Sequence, residues 1–243
     1  GNTIPFIARY RKEATGALND EQLRNLDERL TYLRNLAEKK ETVIASITEQ
    51  EKMTPELKKA IDEAMTMVAL DDLYRPYRPK RKTRATVAKE KGLQGLADII
   101  MLQFLDHPLE EEAGKYINAE KEVLTAEDAI AGAMDIIAEN ISDNADYRKS
   151  IRERTSARGN LISTAKDPEA ESVYEMYYDF SSPVSKMTGH RTLAINRGEK
   201  EKFLTVKLEA PVDEIIGYLE KQNIARDNKY TTDVLKAAIA DSY

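Results

Sequence analysis

Residues 125–143 read TAEDAIAGAMDIIAENISD, and this stretch sets the expected fold class. Thr125 and Asp128 have the spacing of a capping box, in which each side chain satisfies the other residue's backbone N–H at a helix start. Ile130, Ala133, Met134, Ile137 and Ile141 then recur at steps of three and four, the period of a helix with one buried face. Ser142-Asp143-Asn144 breaks the pattern. A basic helix is expected from about Ala145 to Arg158, closed by Gly159 as a left-handed cap. Helix, short break and helix make residues 125–159 a helix-turn-helix-like unit.

The rest of the chain extends the helical reading. Of 243 residues only 10 are Gly and 8 Pro, and Ala, Leu, Glu and Lys favour helix. Asn19 and Gln22 form a second capping box, followed by the apolar seam Leu23, Leu26, Leu30, Leu33 and Ala37. Thr54-Pro55 opens another helix carrying Leu57, Ile61, Ala64, Met65 and Val68, and the two helices are expected to pair as an antiparallel hairpin. Pro76 and Pro79 turn residues 74–84, YRPYRPKRKTR, into an extended connector. Helices resume near Val87 and through Leu93–Phe104, and Asp167-Pro168 starts one that runs to about Tyr178. Alternation over Thr192–Asn196 and Phe203–Leu208 around Arg197-Gly198-Glu199-Lys200 predicts one small β-hairpin near 191–209. Pro211 opens a further helix, and Thr231 or Thr232 caps the last. The expected fold is mainly α: a helical hairpin plus basic connector (1–84), a helical domain (85–181), and the hairpin with its following helices (182–243).

Composition excludes several chemistries. There is no Cys, hence no disulfide, no Cys-ligated zinc or iron–sulfur cluster and no thiol nucleophile. The sequence lacks a Gly-rich phosphate loop, an H-E-x-x-H pair, an EF-hand loop and a G-x-S-x-G elbow. His107 precedes Glu110, Glu111 and Glu112, read as a solvated acidic helix start rather than a metal site. His190, beside Arg191, is assigned to anchoring the hairpin. No metal, no cofactor and no enzymatic activity are expected. No window approaches about 18 consecutive apolar residues, and no secretory leader pattern is present, so the expected setting is the cytoplasm, away from membranes.

Net charge is −6, but its distribution is uneven. Residues 51–92 carry 11 basic and 7 acidic side chains, whereas residues 93–180 carry 8 and 19. Basic residues interleaved with tyrosine suit phosphate contact with base stacking. They single out Arg9, Arg11, Arg75, Arg78, Arg81 and Arg84 as candidate nucleic-acid contacts, joined by Arg148 and Arg152 of the basic helix. The competing assignment has the connector packing onto neighbouring helices and pairing with the acidic block, and it is the preferred one. DNA readout by the 125–159 unit alone is disfavoured, because its first helix carries Glu127, Asp128, Asp135 and Glu139 and its turn Asp143.

Three stretches carry a family resemblance: TIPFIARYRKEATGALNDEQL (3–23), LDDLYRPYRPKRKTRATVAKEKGLQGLA (70–97) and HRTLAINRGEKEKFLTVKLE (190–209). Together they resemble the N-terminal region of the Tex family, bacterial transcription accessory proteins related to a eukaryotic transcription elongation factor. Gly189 departs from the family pattern, where Ser is frequent. The resemblance implies a fragment of a longer protein, with a helix-turn-helix here. Downstream it implies an RNase H-like domain not regarded as an active nuclease, a helix-hairpin-helix region and an OB-fold RNA-binding domain to which nucleic-acid binding is chiefly attributed. The expected function is a non-enzymatic scaffold in transcription and RNA binding. Its partners are RNA or DNA through the whole protein, the missing domains, and the transcription machinery. The alternative is direct DNA or RNA contact through the connector and helix 145–158.

Overall fold

The computed structural model describes residues 2–243, which form thirteen α-helices, short 3-10 turns and one three-stranded antiparallel sheet. The fold is mainly α. The chain divides into two compact units, one ending at Arg78 and the other running from Pro79 to Tyr243. No helix among the described residues is long and apolar enough to cross a membrane.

The first unit is built on one long helix. After α1 (Ile4–Tyr10) and α2 (Lys12–Thr15), Gly16 takes the left-handed conformation with φ 64°, which frees the chain to turn. The Asn19/Gln22 capping box then starts α3 (Asp20–Glu49). The expected helix from Thr54 is two helices, α4 (Pro55–Glu63) and α5 (Met67–Tyr74), because Ala64 turns extended and Thr66 caps afresh by accepting from the Ala69 N–H. The core comprises Leu36, Val43, Ile47, Ile61, Ala64 and Leu70. The fully buried residues that α3 gives it, Leu36, Val43 and Ile47, lie in its C-terminal half. Leu26, Leu30, Leu33 and Ala37 of the predicted seam are exposed, as are Met65 and Val68. The connector starts with a 3-10 turn at Arg75–Tyr77 before extending at Arg78.

The second unit opens with α6 (Arg84–Glu90), α7 (Gln94–Leu102) and α8 (Leu109–Gly114), all packed on α9 (Ala126–Asp143). The Thr125/Asp128 capping box is formed as predicted. α9 is surrounded rather than one-sided: Ala129, Ala133, Ile136, Ile137, Ala138 and Ile141 are all buried, while Ile130 and Met134 are only partly so. Asn144 ends α9 and caps α10 (Ala145–Arg158), accepting from the Asp146 and Tyr147 N–H groups.

Gly159 is extended, with φ −72°, and not left-handed. Its lack of a Cβ still matters, since one there would collide with the Thr155 carbonyl and lie 3.0 Å from that of Glu209. The chain passes straight into β1 (Asn160–Ala165), which pairs with β2 (Asp179–Pro183) on one side and β3 (Leu204–Glu209) on the other. No helix follows Pro168. Residues 166–178 form a loop with a 3-10 turn at Glu175–Tyr177, and Tyr174 and Tyr177 supply the core under the sheet.

The predicted hairpin near 191–209 is half helix. Residues Gly189–Lys200 form α11, and only Leu204–Glu209 is a strand, paired with β1 instead of with its predecessor. The alternation in Thr192–Asn196 was too short to separate strand from helix, and Ile195 and Gly198 instead fall three apart on the buried helix face. The turn into β3 is made at Lys202, φ 67°. Two last helices, α12 (Val212–Asn223) and α13 (Thr232–Ser242), return to the α9 core through Ile215, Leu219, Leu235, Ala238 and Ile239. A buried amide ties their connection down. Gln103 Nε2 donates to the Asn223 carbonyl at 2.8 Å, and the Arg226 N–H donates to Gln103 Oε1 at 3.1 Å.

Gly198 distinguishes helix from hairpin. A Cβ there would lie 2.6 Å from Leu204 Cδ1, 2.9 Å from its Cγ and 3.1 Å from Tyr174 Cδ1, with both residues buried. Gly198→Ala is expected to destabilise by about 1–3 kcal/mol through overpacking, measured by urea unfolding. A neutral or stabilising result would indicate that position 198 does not face this core.

Candidate nucleic-acid interface

The connector and α9 account for much of the uneven charge. Asp135, Glu139 and Asp143 stand four residues apart on one side of α9, an arrangement whose like charges repel. Cations from the start of the second unit meet them. Lys80 Nζ lies 3.2 Å from Glu139 Oε1 and contacts Asp143 Oδ2 directly. Arg84 lies 3.3 Å from Asp135 and donates to Asp241 of α13 at 2.7 Å. Its guanidinium is held above its ordinary pKa, chiefly by the Asp241 hydrogen bond and then by the Asp135 charge. Burial raises the Asp135 carboxyl above the usual carboxylate value, against the opposing pull of Arg84.

The eight candidate arginines are divided between the two units. Arg9, Arg11, Arg75 and Arg78 belong to the first unit, and Arg81, Arg84, Arg148 and Arg152 to the second. Arg78 donates to Asp71 at 3.1 Å and stacks 5.6 Å over the Tyr74 ring, while Lys39 approaches the same carboxylate at 2.7 Å. Tyr74 and Tyr77 flank this turn, with Ser46 Oγ 3.0 Å from the Tyr74 hydroxyl and Gln50 Nε2 donating to the Tyr77 carbonyl at 2.8 Å. These tyrosines pack on the core of the first unit. Arg9, Arg11, Arg75 and Arg81 are exposed. On α10, Arg148 is half-buried and reaches the Ser142 carbonyl at 3.5 Å, whereas Arg152 is exposed.

The basic character of α10 is partly spent inside the fold. Arg154 and Arg158 both grip Glu214 of α12, the latter at 2.5 Å, and Arg154 also stacks 4.6 Å over Tyr218. Burial alone would raise the Glu214 carboxyl, and the two guanidiniums outweigh it to hold the group below its usual value.

Sequence reasoning missed a different basic surface. With residues 189–200 helical, His190, Leu193, Arg197 and Lys200 fall at i, i+3, i+7 and i+10 on the outward side of α11, and Asn196 borders them. All five are exposed. Lys186 stands exposed just before the helix. Among the described residues, Lys186, Arg197 and Lys200 form no ion pair. The signal for this stripe was helical spacing, hidden by the two-residue alternation.

His107 does meet carboxylates. Its Nδ1 lies 2.8 Å from Asp106 and its Nε2 3.1 Å from Glu112, which Lys115 approaches at 2.5 Å. Among the described residues, no three His, Asp or Glu side chains gather as a metal ion requires. Cavities of about 200, 260 and 190 Å³ in the second unit are smaller than ordinary small-molecule sites.

A family model described as Tex central region-like matches residues 106–238, and one described as Tex-like protein N-terminal domain matches residues 1–48. The chain belongs to the Tex family. It is 49% identical to the Bacillus subtilis (strain 168) protein YdcI, an alignment covering 100% of this chain and 34% of that protein. It is 41% identical to the transcriptional accessory protein Tex of Neisseria gonorrhoeae over 88% of this chain and 28% of that one. A human protein, S1 RNA-binding domain-containing protein 1, is 34% identical over 85% of this chain and 21% of its own length. The chain thus spans about a third or less of each of these relatives.

The hydrogen bonds from Asp106 and Glu112 raise the His107 pKa above its ordinary value. A raised folded-state pKa means stabilisation that is complete below the unfolded value of about 6.5 and is lost as pH rises through the folded one. His107→Gln should therefore lower Tm at pH 5.5 and leave it unchanged at pH 9. Equal effects at both pH values would show that the imidazolium pairs contribute nothing.

Proposed function

We propose that this chain is a non-enzymatic helical scaffold within a cytoplasmic Tex-family transcription accessory protein that binds RNA or DNA as a whole molecule. Its role is to present further domains and to hold them in register with the transcription machinery. The RNase H-like, helix-hairpin-helix and OB-fold domains implied by the sequence resemblance are its intended neighbours. The observation that carries this reading is the use made of the connector's cations. Two of those cations, Lys80 and Arg84, are occupied by the carboxylates of α9 and α13. Family membership supports the transcriptional setting, since a relative is named a transcriptional accessory protein and another an S1 RNA-binding domain-containing protein.

The experiment compares stability with binding. Lys80→Met leaves Glu139 and Asp143, whose side chains are 18% and 9% exposed, without that cation. Removing one partner of a largely buried pair is costly, and about 1–3 kcal/mol is expected here, a fall of several degrees in Tm. Affinity for labelled RNA and duplex DNA should stay within about twofold. An unchanged Tm with a loss of affinity would contradict the scaffold reading and favour direct contact through the connector.

A further inference from the structure

We propose that the outward stripe of α11 is a nucleic-acid contact surface, with Lys186, Arg197 and Lys200 meeting backbone phosphates and His190, Leu193 and Asn196 set against sugars and base edges. The proposal rests on the nucleic-acid setting given above and adds a location for contact within this chain.

Three observations carry it. The first is electrostatic. Residues 186–202 hold five Lys and Arg side chains against Glu199 and Glu201, within a chain of net charge −6. One of those acids is engaged locally, because the Tyr174 hydroxyl donates to Glu201 at 2.8 Å. The outward positions 190, 193, 196, 197 and 200 include no carboxylate. This separates α11 from the connector and from α10, whose Arg154 and Arg158 are held by Glu214. Cations that the fold does not neutralise remain available to an external polyanion.

The second observation is the company these cations keep. Leu193 is 71% exposed in the middle of the stripe, between His190 and Arg197. His190 and Asn196 bring ring and amide groups able to stack on, or hydrogen-bond to, unpaired bases. Such a mixture suits a nucleic acid, which offers apolar and hydrogen-bonding surface beside its phosphates, better than a simple run of acidic side chains.

The third is mechanical. The opposite side of α11 is anchored by Ile195 and by Gly198, which sits close against Leu204 and Tyr174 on the sheet side. The adjoining Arg191 guanidinium lies 6.0 Å over the Phe180 ring. The stripe is therefore presented by a fixed element.

The test uses this chain with two probes, a fluorescein-labelled oligouridine RNA and a labelled mixed-sequence DNA duplex, titrated by fluorescence anisotropy across potassium chloride concentration. Arg197→Glu with Lys200→Glu is the main variant, and Lys149→Glu on exposed α10 is the control. Arg197→Gln with Lys200→Gln serves as a second variant should charge reversal perturb folding. The reversal should weaken binding at least about tenfold at low salt and flatten the log–log salt slope by about 1.4 on RNA or 1.8 on duplex, as expected for two lost phosphate contacts. Tm should not change. The probe that binds more tightly identifies the preferred nucleic acid. Unaltered binding in the α11 variants, an equal loss in the α10 control, or equally tight competition by polyglutamate would overturn the proposal. So would absence of binding by the unmodified chain at low salt, which leaves the scaffold reading to stand or fall on the Lys80→Met stability measurement.

Discussion

The second unit depends on how α9 places its buried apolar residues and its row of carboxylates. Its apolar residues lie against α6, α7, α8 and α13, and its acidic residues Asp135, Glu139 and Asp143 meet Lys80 and Arg84. Neither half is sufficient by itself. Small residues let neighbours approach: a Cβ at Gly132 would overlap Leu93 Cδ1 and come within 3.4 Å of the Ala88 methyl. The carboxylate row in turn fixes where the chain enters the unit, since Lys80 precedes and Arg84 directly follows Thr83, the N-cap of α6. Burial supplies the driving force, and the ion pairs select the path of the entering strand.

That arrangement changes the meaning of the basic connector. Arginine interleaved with tyrosine suggests phosphate contact and stacking, yet Tyr74 and Tyr77 lie on the core of the first unit, Arg78 pairs with Asp71, and Arg84 bridges α9 and α13. The same residue types serve both purposes, and the position of the nearest carboxylate decides between them. Applied across the molecule, this criterion directs attention away from the connector and toward the outward side of α11.

Legibility in the sequence followed local determinants. The capping boxes at Asn19/Gln22 and Thr125/Asp128 are formed as read, because they need only residues three apart. The helical fold class follows from composition for the same reason. What failed needed information from afar. The strand Leu204–Glu209 is recognisable, but its partner is β1, some forty residues earlier, and the neighbouring alternation in Thr192–Asn196 mimics the missing strand. Tyr174 and Tyr177 entered a predicted helix because their role as core under a sheet had no local signature. The Leu26, Leu30 and Leu33 seam has helical period but lacks a covering element among the described residues. Of the eight candidate contacts, the sequence supplied the charges and the fold supplied the partners that occupy Arg78 and Arg84.

The central claim, that the α9 carboxylates and the entering cations are energetically coupled, is tested most directly by a double-mutant cycle on Lys80 and Glu139. Urea unfolding of the parent, Lys80→Met, Glu139→Gln and the double variant isolates the pair from the general effect of each change. The account predicts a favourable coupling of about 1–3 kcal/mol, with the double variant recovering much of the stability lost on removing Lys80 alone. Additive effects with no coupling would contradict it.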